Sequence, residues 1–233
     1  MLEAEGADAL TWAQLTKIFP LVREFNWAPF SPRDIFRLCV LSFFGALRIS
    51  ESVSLSHETT HWNPANPGKE VVLRLYDGKT AKGSKIDIRI VPHFALNTFL
   101  SPVYAWQKLK MKSSEGCLVK DKNSRPLTIS WLTKRWAEFI IFAKDRGVLP
   151  RATKAPWHVW RVSYLNLCTT HLDMPLMLSK EALNHTSDSS QVWYASRTRD
   201  VRKSLAAQEF GSRLSNWISR GHQNRTAYTN NPV

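Results

Sequence analysis

Four side chains near the C-terminal end are of the types that move phosphoryl groups. His158 and Arg161 stand three apart at the head of an apolar, helix-periodic run, so they share one helix face. A second helical run ends in Leu183-Asn184-His185, and Tyr194 follows nine residues later inside Val192-Trp193-Tyr194-Ala195. A phenol can attack phosphorus, a guanidinium can neutralise the non-bridging oxygens, and each imidazole can donate or accept a proton. Each short pattern alone is common; the ordered set carries the signal. A second His-x-x-Arg, His222 to Arg225, lies in a polar tail without apolar periodicity and is read as accidental.

The elements that must position these groups read as mainly helical. Thr11 caps a helix to about residue 25, which Pro20 is expected to kink or split. Ser31-Pro32 starts the next helix, with Ser as cap and Pro in the first turn. Residues 35–47 are apolar almost all round and read as a central buried helix. It runs into Gly45-Ala46-Leu47-Arg48-Ile49-Ser50-Glu51, with Leu55 beyond. Arg48 there either pairs with Glu51 or points into an anion site. Residues 57–69 read as a loop, and His57 and His61 as surface histidines, because Pro64 and Pro67 oppose a helix and no third metal ligand is evident. Residues 71–76 and 86–91 alternate like two strands of a hairpin around a Gly-containing turn. A helix over 94–110 is expected to break near Ser101-Pro102, and 113–127 reads as a polar loop. Residues 129–144 form an amphipathic helix with Leu132, Trp136, Phe139, Ile140 and Ala143 on its apolar face. A last helix covers 198–217, and 221–233 is polar and reads as disordered.

Composition narrows the partner. The formal charge is +13 and the pI about 9.9, which favours a polyanion. Cys39, Cys117 and Cys168 show no metal spacing, and an odd count opposes a disulfide framework, which fits a reducing, intracellular compartment. Cys39 and Cys168 read as inert core thiols, and the 10 scattered Trp residues as core packing. No apolar run approaches the ~18 residues of a membrane span, and the acidic N-terminus lacks a signal-peptide pattern.

Together these segments resemble the tyrosine recombinases, the integrase family. Their pattern is an Arg in a Gly-x-Arg-x-Ser-Glu context, a Lys in a β-hairpin, His-x-x-Arg, Leu-Gly-His, and a nucleophilic Tyr about nine residues on. Here Arg48 follows Gly45 with one extra residue between them. Lys82-Gly83-Ser84-Lys85 and Arg89-Ile90-Val91-Pro92 match the hairpin pattern with two extra residues before the Arg. Asn184 replaces a Gly, and Trp160 is bulky beside Arg161. The resemblance covers about residues 35–194. It implies a mainly α-helical catalytic domain with a small antiparallel β-sheet over 11–217, after a frayed lead-in at 1–10 and before a polar tail at 218–233.

The resemblance also implies a mechanism, site-specific cleavage and rejoining of DNA strands through a 3′-phosphotyrosyl intermediate. Tyr194 attacks, Arg48 and Arg161 hold the non-bridging oxygens, and Lys82 protonates the leaving 5′ oxygen, with Lys79 its rival. His158 assists proton transfer from Tyr194, His185 hydrogen-bonds the phosphate, and Glu51 orients Arg48. Tyr164 is a rival nucleophile. Lys79, Lys85, Arg151 and Lys154 are candidate contacts to flanking DNA phosphates; for Arg151 and Lys154, solvated loop charges are an equal alternative. No metal or other cofactor is needed, the partner is double-stranded DNA without a membrane, and the assembly is a homotetramer. The helix over 198–217 either docks on a neighbouring protomer or packs on its own domain. Only about 30 residues precede the central helix, so either the sequence is a catalytic fragment or the element does without the family's N-terminal clamp, and weak or sequence-tolerant DNA binding by this stretch is expected. Two alternatives keep part of this reading: a topoisomerase-like enzyme that nicks and reseals one duplex, and a basic DNA-binding module without catalysis.

Overall fold

Thr11 and Gln14 cap the first helix reciprocally, the Gln14 N–H donating to Thr11 Oγ1 and the Thr11 N–H to Gln14 Oε1. This helix, α1 (Trp12–Glu24), buries Leu15, Ile18, Phe19, Leu21 and Val22. Of the kink or split expected at Pro20, the split does not occur. Pro20 and Thr16 both lie on the exposed face, where water can take the Thr16 carbonyl that lacks a helical donor. The computed structural model describes residues 7–76, 86–92, 100–112, 114–174 and 206–219. The expectations for Lys79, Lys82, Lys85, His185 and Tyr194 lie outside these residues.

Residues 7–10 do not fray. Leu10 is buried and its N–H donates to Ser163 Oγ at 2.8 Å. The Asp8 N–H donates to the Lys154 carbonyl at 2.8 Å, and the Lys154 N–H returns a bond to Asp8 Oδ2 at 2.7 Å. Burial of one leucine and three hydrogen bonds hold the segment where composition alone showed only a polar start.

The central helix α2 (Pro32–Phe44) is buried on nearly every side, as its apolar periodicity required. Pro32 occupies the first turn, but the Ser31 side chain makes no capping bond; its carbonyl instead accepts from the N–H groups of Asp34 and Ile35. A short helix, α3 (Ile49–Val53), follows. The predicted hairpin is β2 (Glu70–Tyr76) against β3 (Ile86–Pro92), antiparallel, with Leu73 opposite Arg89. A third strand, β1 (Thr60–Trp62), pairs antiparallel with β2 and gives sheet order β1-β2-β3. The sequence reading had placed β1 in a loop; three residues are too few to show alternation.

Helix α4 (Pro102–Lys110) begins at the expected break, with Ser101 Oγ accepting from the Tyr104 N–H. Helix α5 (Ile129–Asp145) buries the five residues assigned to its apolar face. Helix α6 (Val159–Asn166) continues into a π-helical turn, Leu167–His171. Residues 206–219 are helical, here α7. This helix packs on its own domain: Phe210 stacks on Tyr164 (4.7 Å) and meets Phe44, while Trp217 meets Trp12 and His171. Arg213 Nη1 donates to the carbonyls of Leu172 and Asp173, and Gln208 to buried Glu70 at 2.8 Å.

Much of the core is aromatic. Trp136 lies 5.0 Å from Trp157 and 5.2 Å from Trp160, which stacks on Phe19 at 5.3 Å. The bulk of Trp160 beside Arg161 is thus absorbed inward, where it fixes α6 against α1 and α5. Cys39 and Cys168 are buried, which raises the Cys39 thiol well above its usual range and Cys168 to about 12. No helix among the described residues is long and apolar enough to cross a membrane.

Candidate active site

The site is built where α2 stops. The Gly45 N–H closes the helix on the Leu41 carbonyl, and the Leu47 N–H returns to the Ser42 carbonyl at 2.8 Å. Between them Ala46 takes a left-handed conformation, φ 48°, which is uncommon without glycine. Gly45 is right-handed, φ −87°. The left-handed turn position, two residues before Arg48, is therefore Ala46 and not Gly45. Gly45 is needed for another reason: a Cβ there would lie 2.9 Å from the Leu41 carbonyl oxygen.

Arg48 is the N-cap of α3. Its N–H donates to Glu51 Oε2 at 2.6 Å and its Nη1 to Glu51 Oε1 at 2.8 Å. The ion pair that sequence reasoning set against an anion site is thus formed, yet the Arg48 side chain remains 57% exposed. A guanidinium has five N–H donors, so one contact with Glu51 orients it without exhausting it.

A buried hydroxyl pair ties this turn to the next functional segment. Ser52 Oγ donates to the Arg48 carbonyl at 2.9 Å and lies 2.8 Å from Ser42 Oγ. Trp157 Nε1 donates to the same Ser52 Oγ at 3.1 Å. Sequence reasoning missed Ser42, Ser52 and Trp157, because nothing in their spacing marks a pairing across 105 residues.

Immediately after Trp157, His158 caps α6 and is exposed, while Arg161 is buried at 4% exposure. Arg161 Nη1 crosses to the Ala46 carbonyl at 2.9 Å. The left-handed turn thus aims a backbone oxygen at one arginine while starting the helix that carries the other. The His158 imidazole is held below the usual histidine range by partial burial, then by the charges of Arg161 and Arg48. Arg48, His158 and Arg161 therefore share one electrostatic neighbourhood. Two guanidiniums and a neutral imidazole suit an anion whose charge grows during reaction.

Tyr164 is buried, stacked on Phe210 and hydrogen-bonded with Cys168, and burial drives its hydroxyl well above the usual tyrosine range. Those surroundings keep the Tyr164 hydroxyl protonated and away from solvent. Arg89 on β3 is buried at 2% exposure, and its charge reaches Tyr164. Arg151 and Lys154 are exposed on the loop before His158. His57 and His61 sit beside Lys110, whose ammonium helps hold both imidazoles low after desolvation. Among the described residues no group of three or more His, Cys, Asp or Glu could hold a metal.

No family model and no curated protein matches the chain. Solved structures do. The XerH site-specific recombinase, in a pre-cleavage complex with its difH substrate, superposes with a TM-score of 0.56 at 17% identity, over 83% of this chain and 49% of that one. The Tn1549 transposon integrase, in complex with a circular intermediate DNA, gives 0.58 at 16%, over 79% and 60%. A lambda integrase tetramer bound to a Holliday junction gives 0.55 at 16%, over 83% and 51%. The chain has the tyrosine-recombinase catalytic fold. It spans about half the length of XerH and lambda integrase. Within this tyrosine-recombinase fold, the turn between α2 and α3 and the start of α6 bring Arg48 and Arg161 to one imidazole, from positions more than a hundred residues apart.

Proposed function

We propose that this chain cleaves and rejoins DNA strands by phosphoryl transfer, as a site-specific recombinase or integrase. The observation that carries the reading is the meeting of Arg48, His158 and Arg161 at the left-handed turn after α2. Arg48 and Arg161 hold the non-bridging oxygens of the scissile phosphate and neutralise the charge that develops there. His158 is kept neutral by partial burial and then by its cationic neighbours, and so is ready to take a proton from the attacking phenol, for which we assign Tyr194. His185 completes the phosphate contacts, and Lys82, or Lys79, protonates the leaving 5′ oxygen. Lys79, Lys85, Arg151 and Lys154 contact flanking phosphates. The energy of the phosphodiester is kept in the protein–DNA bond, so rejoining needs no nucleotide. Double-stranded DNA is the partner, and strand exchange takes place in a homotetramer.

The test uses nicked duplexes with a randomised segment, incubated with the full chain and resolved in SDS. An adduct that forms with the native chain and is lost in Arg48→Ala and Arg161→Ala, with mobility-shift binding retained, supports the proposal. DNA binding with no adduct under any condition points to the non-catalytic alternative. An adduct accompanied by supercoil relaxation, with no recombinant product on the captured sites, points to the topoisomerase-like one.

A further inference from the structure

The end of α2 remote from Arg48 carries a second basic concavity. Arg33 and Arg37 are one helical turn apart on α2, so they project to the same side. Arg23 from α1 faces them, and two adjoining clefts share Arg23 and Arg33. One continues past Ser31 and Pro32; the other ends against Tyr104 of α4. At 1.5 Å per residue, α2 sets this cleft roughly 20 Å from the Arg48 turn.

Among the described residues, basic side chains around the cleft outnumber acidic ones. Asp34 is buried and receives both Arg37, at 3.0 Å, and Lys112. Glu24 lies at the rim, 3.9 Å from Arg146. Arg23 and Arg33 are both exposed, and Arg23 lies over the Phe36 ring at 5.9 Å, which preorganises its planar fork. Tyr104 is 42% exposed, with Lys108 over its ring at 5.3 Å. Arginine forks beside an exposed aromatic ring match nucleic acid, whose phosphates accept bidentate bonds and whose bases stack.

We propose that this cleft is a second nucleic-acid contact, filled by a DNA segment other than the one held at Arg48 and Arg161. The choice of DNA rests on the strand-transfer reading above; the cleft itself does not. A protomer would then hold two stretches of DNA at opposite ends of one buried helix.

The test places p-benzoylphenylalanine at position 104 of the full chain and, as a control, at Ile141, which is 60% exposed on α5. Every sample carries Tyr194→Phe, so no covalent link depends on catalysis. The probes are a labelled random-sequence duplex and its single strand. Irradiation is expected to link DNA at position 104 and not at 141, and the link should be lost in Arg23→Glu/Arg33→Glu. The neutral pair Arg23→Gln/Arg33→Gln should weaken it at an unchanged melting temperature, which separates charge from folding. No link at 104, equal links at both positions, or a link that survives charge reversal overturns the proposal. Displacement by polyglutamate more readily than by unlabelled DNA overturns the assignment to nucleic acid. A link at 104 in a chain whose native form yields no SDS-resistant adduct would leave the cleft standing and remove the strand-transfer reading.

Discussion

The turn after α2 makes opposite demands on two adjacent small residues, and exchanging their side chains tests it. In Gly45→Ala the new Cβ meets the Leu41 carbonyl oxygen at 2.9 Å and the Leu47 side chain at 3.1 Å. The oxygen belongs to helix backbone and cannot step aside, so overpacking costs about 1–3 kcal/mol. Reduced freedom of the unfolded chain returns roughly 0.4–1 kcal/mol, leaving a net loss centred on about 1.3 kcal/mol. Ala46→Gly behaves differently. It relieves a left-handed alanine, worth roughly 1–2 kcal/mol. It gives back about 0.4–1 kcal/mol of unfolded-state entropy and one buried methyl of about 0.8 kcal/mol. The balance lies within about 1 kcal/mol of zero. For a chain of this size, 1 kcal/mol is roughly 2–4 °C in Tm. Calorimetry or circular-dichroism melting should therefore show Gly45→Ala clearly lowered and Ala46→Gly near the native value. If Ala46→Gly is the more destabilised of the two, the left-handed position is not at 46.

Ser52→Ala removes the acceptor of Trp157 Nε1 and leaves a buried donor unpaired, so it should cost roughly 1–3 kcal/mol in urea unfolding and slow adduct formation more than it weakens DNA binding. His158 should titrate below an ordinary histidine by NMR, and Arg48→Gln, which removes a repelling charge, should move its midpoint upward; no movement would place Arg48 outside the site. Because the His57, His61 and His158 imidazoles are all depressed in the folded chain, the unfolded chain takes up their protons first. Unfolding midpoints should fall as pH drops below the ordinary histidine value of about 6.5, and a midpoint flat from neutral to mildly acidic pH would contradict those shifts. Lys82→Ala should cleave ordinary DNA very slowly yet recover on a substrate whose bridging 5′ oxygen is sulfur, since a thiolate leaves without a proton; rescue of Lys79→Ala instead would reverse the two lysines.

Helix α5 was legible residue by residue, because a clean 3.6-residue period admits one buried face. The β2–β3 hairpin was legible from alternation, and α2 from its continuous apolarity. Strand β1 was not, since its pairing is decided by β2 rather than by its own three residues. Whether Pro20 would split α1 was not legible, because a proline's effect depends on which face it occupies. At the site, the residue types of Arg48, His158 and Arg161 were plain, but their meeting was not. It depends on a left-handed alanine and on hydroxyls bonded across the fold, neither of which leaves a local pattern. The homing of α7 onto Tyr164 and Glu70 was equally hidden, since sequence shows an apolar face but not its partner.

The central claim is that the phosphate held by Arg48 and Arg161 is attacked by Tyr194. The direct measurement is peptide mapping of the SDS-resistant adduct formed on nicked DNA, after nuclease and protease digestion. The account predicts one modified peptide, with a 3′-linked nucleotide on the Tyr194 oxygen, and no adduct in Tyr194→Phe although that variant still shifts DNA. A nucleotide on any other residue, or an adduct that persists in Tyr194→Phe, would contradict it.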